Sequence, residues 1–218
     1  MPQGRAISLL SRSVELDVLW TATTVAREKA LLPVRIPLLK GLLGYRVFII
    51  RAGDQAKFAA INTLEQLQAL TAGQGHDWPD TQILRANFVK VETTSTYDGL
   101  FAMLKAKRFD YFPRGVNEAW AELASHQDKA FMVEKSLLIH YPLPTYFFVA
   151  PGNTALANRL EQGLRMAQQD GSFEQLFYAY LNSDDGVKLD GLKDRKMIKL
   201  VNPFLPVLTP VDEKDLWY

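Results

Sequence analysis

The stretch that decides the fold begins Thr63-Leu64-Glu65-Gln66-Leu67 and continues Leu70-Thr71-Ala72-Gly73-Gln74-Gly75-His76-Asp77-Trp78-Pro79-Asp80. Lys90-Val91-Glu92-Thr93 comes next, and then a segment ending Met103-Leu104-Lys105-Ala106-Lys107-Arg108-Phe109-Asp110. Thr63 with Gln66 three residues later fits a capping box, which opens a short helix. Trp78-Pro79 fits a helix start with proline at the first helical position, where its missing N–H costs nothing. Ser95 with Asp98 opens a further helix, whose Tyr97, Leu100, Phe101 and Leu104 form one apolar stripe. The order is therefore leader helix, strand with a glycine loop, helix, strand, and a helix closing on a basic-x-Asp turn.

Strands and helices alternate outward from this core. Upstream, Arg5 to Ser13 has a short helical face, with Ile7, Leu10 and Val14 as its apolar positions. Glu15 to Trp20 is rich in β-formers and predicts a strand. Thr23 or Thr24 can cap a short helical turn that carries Arg27. A glycine-rich turn from Gly41 to Gly44 precedes a strand over Tyr45–Ile50. Downstream, Tyr111-Phe112 predicts a strand ending at Pro113, Asn117 to Ser125 a helix, and Tyr146 to Val149 a buried strand. A helix over Ala155–Asp170 places Leu156, Leu160, Leu164 and Ala167 on one side, and Ser172 with Gln175 caps another after Gly171. From Asn182 the chain is polar until Lys196, and Pro203, Pro206 and Pro210 then preclude a long helix, predicting a packed extended tail. The pattern predicts an α/β fold with largely parallel sheets.

Composition narrows the function. The chain has 218 residues and a net charge of +1, so nothing points to nucleic acid or an anionic membrane. It has no cysteine, which removes a thiol nucleophile, a disulfide framework and a cysteine-based metal site. His76, His126 and His140 lack a second ligand-type residue at metal spacing, and no Gly-x-Ser-x-Gly is present. An enzyme is not expected, nor a cofactor. No apolar run approaches the roughly 18 residues that span a bilayer. Met1-Pro2-Gln3-Gly4-Arg5 does not open a signal peptide, which taken alone reads as a cytoplasmic protein.

The element order from Thr63 to Asp110 resembles the second lobe of bacterial solute-binding proteins of the two-lobed, type II periplasmic class. In particular it resembles extracellular solute-binding protein family 3, the polar amino acid branch. The resemblance implies a periplasmic protein and an α/β, two-lobed, periplasmic-binding-protein-like II fold. Residues 1–39 plus 146–218 would form lobe I and residues 40–145 lobe II, hinged near Leu38–Gly41 and Leu143–Tyr146. It implies a monomer that binds a small polar ligand, anionic or amino-acid-like, in an interlobe cleft, does no chemistry on it, and passes it to the membrane permease of an ABC transporter. Alternatives are the sensing domain of a membrane receptor and a homologue with a degenerate cleft. Family members begin with a signal peptide and a first strand and helix that this sequence lacks.

The resemblance also implies site residues. Thr24-Val25-Ala26-Arg27 matches the family's Thr-x-x-Arg element, whose arginine grips a ligand carboxylate through a guanidinium fork. Trp20, where the family favours a small residue, stacks on a ligand, partly fills the cleft, or belongs to the core. Gly73, Gln74 and Gly75 before a helix start can present backbone N–H groups to an anion, with Asp77 as a ligand contact or a cap. These segments would face each other across the cleft. Amino-acid binders usually keep an aspartate where this chain has Gly115. Either Glu118 reaches in to replace it, or Arg114 makes the site cationic and selects an anionic ligand.

Overall fold

The computed structural model describes residues 1, 3–126, 128–183 and 191–218. The chain divides into two compact units. The first comprises Met1–Leu43, Pro142–Asp184 and Phe204–Tyr218, and the second Gly44–Tyr141 and Asp185–Pro203.

The first unit is built on one antiparallel sheet. Its elements are α1 (Gln3–Ser11), β1 (Val18–Ala22), α2 (Val25–Ala30) and β2 (Leu32–Val34), joined later in sequence by a central strand at Thr145–Val149 and helices at Thr154–Gln169 and Ser172–Leu181. The central strand lies between β1 and β2, with Trp20 opposite Phe147 and Val34 opposite the same residue on the other side. Alternation along Thr145–Val149 sends side chains to both faces. Tyr146 and Phe148 pack with Leu10 of α1 and Leu31, while Val149 packs with Val34 and Ala157. The Thr154–Gln169 helix lays Leu156, Leu160 and Leu164 against this second cluster, along the stripe its sequence predicts.

The second unit is organised around β3 (Tyr45–Arg51), whose Val47, Phe48, Ile49 and Ile50 have no solvent exposure. A central strand buried on both faces reads as an unbroken apolar run, which is why this one is legible in the sequence. Then come α3 (Gln55–Ala59), α4 (Leu64–Gln68), β4 (Thr71–Gly75), α5 (Pro79–Ala86), β5 (Lys90–Thr94), α6 (Tyr97–Lys105), β6 (Phe112–Gly115), α7 (Ala119–His126), β7 (Phe131–Val133) and β8 (Leu137–His140). With these counted, the central strand of the first unit is β9 and its two helices α8 and α9; β10 is Lys196–Lys199. The capping box at Thr63 and Gln66 is formed, and Pro79 opens α5 at its first position.

Several expectations are corrected. The sheets are not largely parallel: among the described strands only β4–β5 and β8–β10 pair in parallel, while β3 pairs antiparallel with β6, β7 and β8. The misreading comes from β2, β7, β8 and β10, each only three or four residues long and too short to show a period. The tail expected to be extended throughout contains β10, which pairs with Leu137–His140 and so belongs to the second unit, outside the expected boundary of 146–218 for one lobe. The polar stretch from Asn182 to Lys196 lies partly outside the described residues. Pro113 does not end β6, which runs to Gly115 with Pro113 opposite Phe48. Thr96, not Ser95, caps α6, its side chain accepting from the Gly99 N–H. Gly171, not Ser172, is the residue before α9; its φ of 80° is the left-handed conformation that glycine adopts without strain.

Candidate functional site

In the first unit, Thr24 caps α2 by accepting from the Arg27 N–H at 3.1 Å, which turns the chain sharply after β1. The cap aims Arg27 back at the strand it has just left. Its guanidinium donates to Thr21 Oγ1 at 2.7 Å, to the Ala22 carbonyl at 2.8 Å and to Gln3 Oε1 of α1 at 2.7 Å. Arg27 is 7% exposed. The neighbouring Glu28 is engaged elsewhere, accepting from Thr23 Oγ1 at 2.7 Å and pairing with Arg35 at 2.5 Å. Trp20 is 64% exposed on β1, so the core alternative does not hold. An exposed indole offers a flat apolar face with a polar edge.

In the second unit the predicted glycine loop is a strand. Gly73, Gln74 and Gly75 lie inside β4 and pair in register with Glu92, Thr93 and Thr94 of β5. The Gly73 N–H donates to Tyr111 O at 2.8 Å and the His76 N–H to Thr94 O at 3.1 Å, so these amides are spent within the fold. The glycines serve packing: a Cβ at Gly73 would overlap the Phe109 ring, and one at Gly75 would come within 2.6 Å of the Trp78 indole. Gln74 is fully buried and donates to Pro113 O at 3.1 Å. Asp77 does not cap α5, since Trp78 stands at the cap position with no side-chain bond.

Arg114 and Glu118 come together in a buried ionic cluster that the sequence only half discloses. Arg114 Nε donates to Glu122 Oε2 at 2.7 Å, its Nη2 bonds the other Glu122 oxygen, and Nη2 lies 3.2 Å from Glu118 Oε2. The guanidinium stands 4.7 Å from the Trp78 ring centroid and 5.2 Å from that of Phe112. Glu118 Oε2 also accepts from the Gly115 N–H at 2.9 Å and from Arg46 at 3.2 Å. Its carboxylate thus sits directly on the Gly115 backbone. Arg46 in turn pairs with Asp80 at 2.6 Å, and the Tyr141 hydroxyl donates to the same Asp80 oxygen.

The electrostatics follow from this pairing. Burial lowers the Arg114 pKa, but Glu118 and Glu122 outweigh it, so the guanidinium is held more firmly charged than usual. Burial opposes the charge on Glu118, yet Arg114, Arg46 and the Gly115 N–H hold its carboxyl below the ordinary range. Burial, then Glu122, pushes the Tyr97 phenol up. Three carboxylates (Asp80, Glu118, Glu122) meet two guanidiniums, leaving one negative charge in excess. The expectation that Arg114 makes the site cationic is therefore corrected: its charge is already matched.

Sequence reasoning missed Gln3, Arg46, Asp80, Glu122 and Tyr141. Only Glu122 left a trace, standing four residues after Glu118 and so beside it on a helical face. The Gln3 and Tyr141 contacts join residues 24 and 61 positions apart, with no local signal. An open cavity of about 660 Å³ in the first unit, lined by Arg165, Gln168, Glu174, Asp212, Lys214 and Leu216 among others, includes none of the predicted residues. Among the described residues no cluster of His, Asp and Glu has the makings of a metal site.

No family model matches the chain, and no curated protein matches it. Solved structures do. An ancestral arginine-binding protein bound to arginine is similar at 18% identity and a TM-score of 0.63, covering 84% of this chain and 78% of its own. A binding component of an ABC transporter from Wolinella succinogenes, complexed with lysine, is similar at 15% identity and a TM-score of 0.64, covering 84% and 77%. An amino acid ABC transporter substrate-binding protein from Streptococcus pneumoniae, bound to L-arginine, is similar at 11% identity and a TM-score of 0.62, covering 82% and 72%. The chain shares their fold.

Proposed function

We propose that this protein is a solute-binding protein that captures an amino-acid-like ligand and delivers it to the membrane permease of an ABC transporter. The observation that carries the reading is the fold shared, over about four fifths of the chain, with structures that hold arginine or lysine. The reading includes a periplasmic or extracellular place of action, a monomer, and no turnover of the ligand.

Arg27 is the residue assigned to the ligand carboxylate, because a guanidinium fork matches a carboxylate through two charge-assisted bonds. Trp20 supplies an exposed face for stacking. An α-amino acid fits better than a dianion, since Arg114 and Arg46 are already matched by carboxylates and offer no surplus positive charge. Calorimetric titration with L-arginine, L-lysine, L-glutamine and succinate tests the reading. The expected result is an amino acid Kd of about 1–100 μM, with succinate at least tenfold weaker. Absence of heat and of any thermal shift across the twenty amino acids overturns it.

A further inference from the structure

We infer that residues 214–218 form a strap that holds the turn at Lys40 and Gly41, and that the strap thereby sets how tightly the protein keeps its ligand. The inference rests on the solute-binding reading. The turn stands just before the chain passes from Leu43, the end of the first unit's opening segment, to Gly44, where the second unit begins. It also falls within residues 38–41, where the sequence predicts a hinge. Lys40 and Gly41 are both left-handed, with φ of 46° and 78°. Glycine adopts that conformation without strain, whereas a lysine there persists only where its surroundings over-determine it.

Those surroundings come from distant parts of the same unit. The Leu38 N–H donates to Thr145 O of β9 at 2.9 Å, which fixes the approach to the turn. The Tyr218 N–H donates to the Lys40 carbonyl at 2.9 Å. The Trp217 ring lies against Gly41 so closely that a Cβ there would overlap it. That ring is itself fixed: its Nε1 donates to Pro210 O at 2.8 Å, and buried Leu216 closes the short helical turn Lys214–Leu216 that leads into it. The Lys40 side chain is held from α9, where its Nζ pairs with Glu174 at 2.6 Å and stands 5.7 Å from the Phe177 ring centroid. Phe177 in turn meets Tyr218, with ring centroids 6.2 Å apart. A loose turn samples many conformations, and a ligand that needs one of them loses affinity to the ordering. A strapped turn is ordered beforehand, so a larger share of molecules is competent when the ligand arrives.

The test compares the whole chain with Trp217→Ala and Trp217→Phe, by amide hydrogen exchange without ligand and by titration with L-arginine. Trp217→Ala is expected to speed exchange across residues 40–44 by about tenfold or more, while Thr145–Val149 stays as protected as in the parent. It is also expected to weaken L-arginine binding about tenfold, the effect of leaving roughly one backbone residue to be ordered by the ligand. Trp217→Phe keeps a ring on Gly41 and is expected to recover most of both. Unchanged exchange across residues 40–44 overturns the strap. Faster exchange with unchanged affinity overturns its control of binding. If Trp217→Ala also loses protection across Thr145–Val149, Glu174→Gln, which cuts the tie to Lys40 at an exposed carboxylate, decides by the same two readouts. No binding of any of the twenty amino acids by the parent overturns the solute-binding reading, and with it the strap's role in affinity.

Discussion

Arg27 and Arg114 are both 7% exposed, yet they are held in opposite ways. The hydrogen bonds of Arg27 include ones to a hydroxyl, a backbone carbonyl and a side-chain amide. Those of Arg114 run to Glu122, with Glu118 at 3.2 Å and the rings of Trp78 and Phe112 close by. The difference teaches which buried arginine can be given a ligand. A guanidinium forked onto its own carboxylates has spent its charge, and removing a partner leaves an uncompensated ion in a poorly hydrated place. The acceptors of Arg27 named here are neutral oxygens, and one of them, Gln3 Oε1, belongs to the exposed first turn of α1.

The sharpest way to break the contrast is to remove one partner from each. Glu122→Gln deletes the bidentate acceptor of Arg114 and is expected to cost about 3 kcal/mol in urea unfolding, as for any broken buried pair. A loss under about 1 kcal/mol would mean that Glu118 alone suffices and that the cluster is looser than its geometry. Arg27→Met is expected to do the reverse. Stability changes by less than in Glu122→Gln, since a near-isosteric apolar group replaces the guanidinium and leaves no buried ion behind, while amino acid affinity falls on the order of a hundredfold. Equal binding by the variant and its parent would remove Arg27 from the site.

A smaller effect separates the regions by pH. Glu118 has its pKa lowered by Arg114, Arg46 and the Gly115 N–H against the opposing pull of burial. A carboxyl with a depressed folded value binds fewer protons folded than unfolded above its titration, so it contributes stability in full above its ordinary value of 4.5. That contribution is lost as pH falls from there through the lowered folded value. Asp110, lowered by Lys57 and the Thr71 N–H despite burial, adds to the same trend. Acid is therefore expected to loosen the second unit. Glu118→Gln flattens the dependence, and an unchanged acid slope in that variant would place the effect on other carboxyls.

How much of this was legible follows from the range of each interaction. The capping box at Thr63, the Pro79 helix start and the β3 run from Val47 to Ile50 are local, and the sequence carries them complete. Thr24 capping the helix of Arg27 is equally local. Gly73 and Gly75 were visible but misread, because a glycine that admits Phe109 or Trp78 looks the same in sequence as a glycine that turns a loop. Arg114 was read as making the site cationic, and its matched charge was not legible, since Glu122, Arg46 and Asp80 reach it through folding alone. Gln3 on Arg27 had no local signature at all.

The smallest expected effect concerns Trp20, which tests whether the first unit's exposed aromatic belongs to binding or only to surface. At 64% exposure its side chain has little packing to lose, so Trp20→Ala is expected to shift stability by no more than about 0.5 kcal/mol. Stacking of an indole on a ligand contributes about 0.5–1.5 kcal/mol beyond burial, so the same variant is expected to weaken L-arginine binding roughly three- to tenfold. Trp20→Phe keeps a ring on β1 and is expected to recover most of that loss. The two readouts separate cleanly, since a framework residue would lose stability first and a binding residue affinity first. If Trp20→Ala binds as tightly as the parent, recognition in this unit falls to Arg27 alone, and the ligand's side chain is selected by some other part of the molecule.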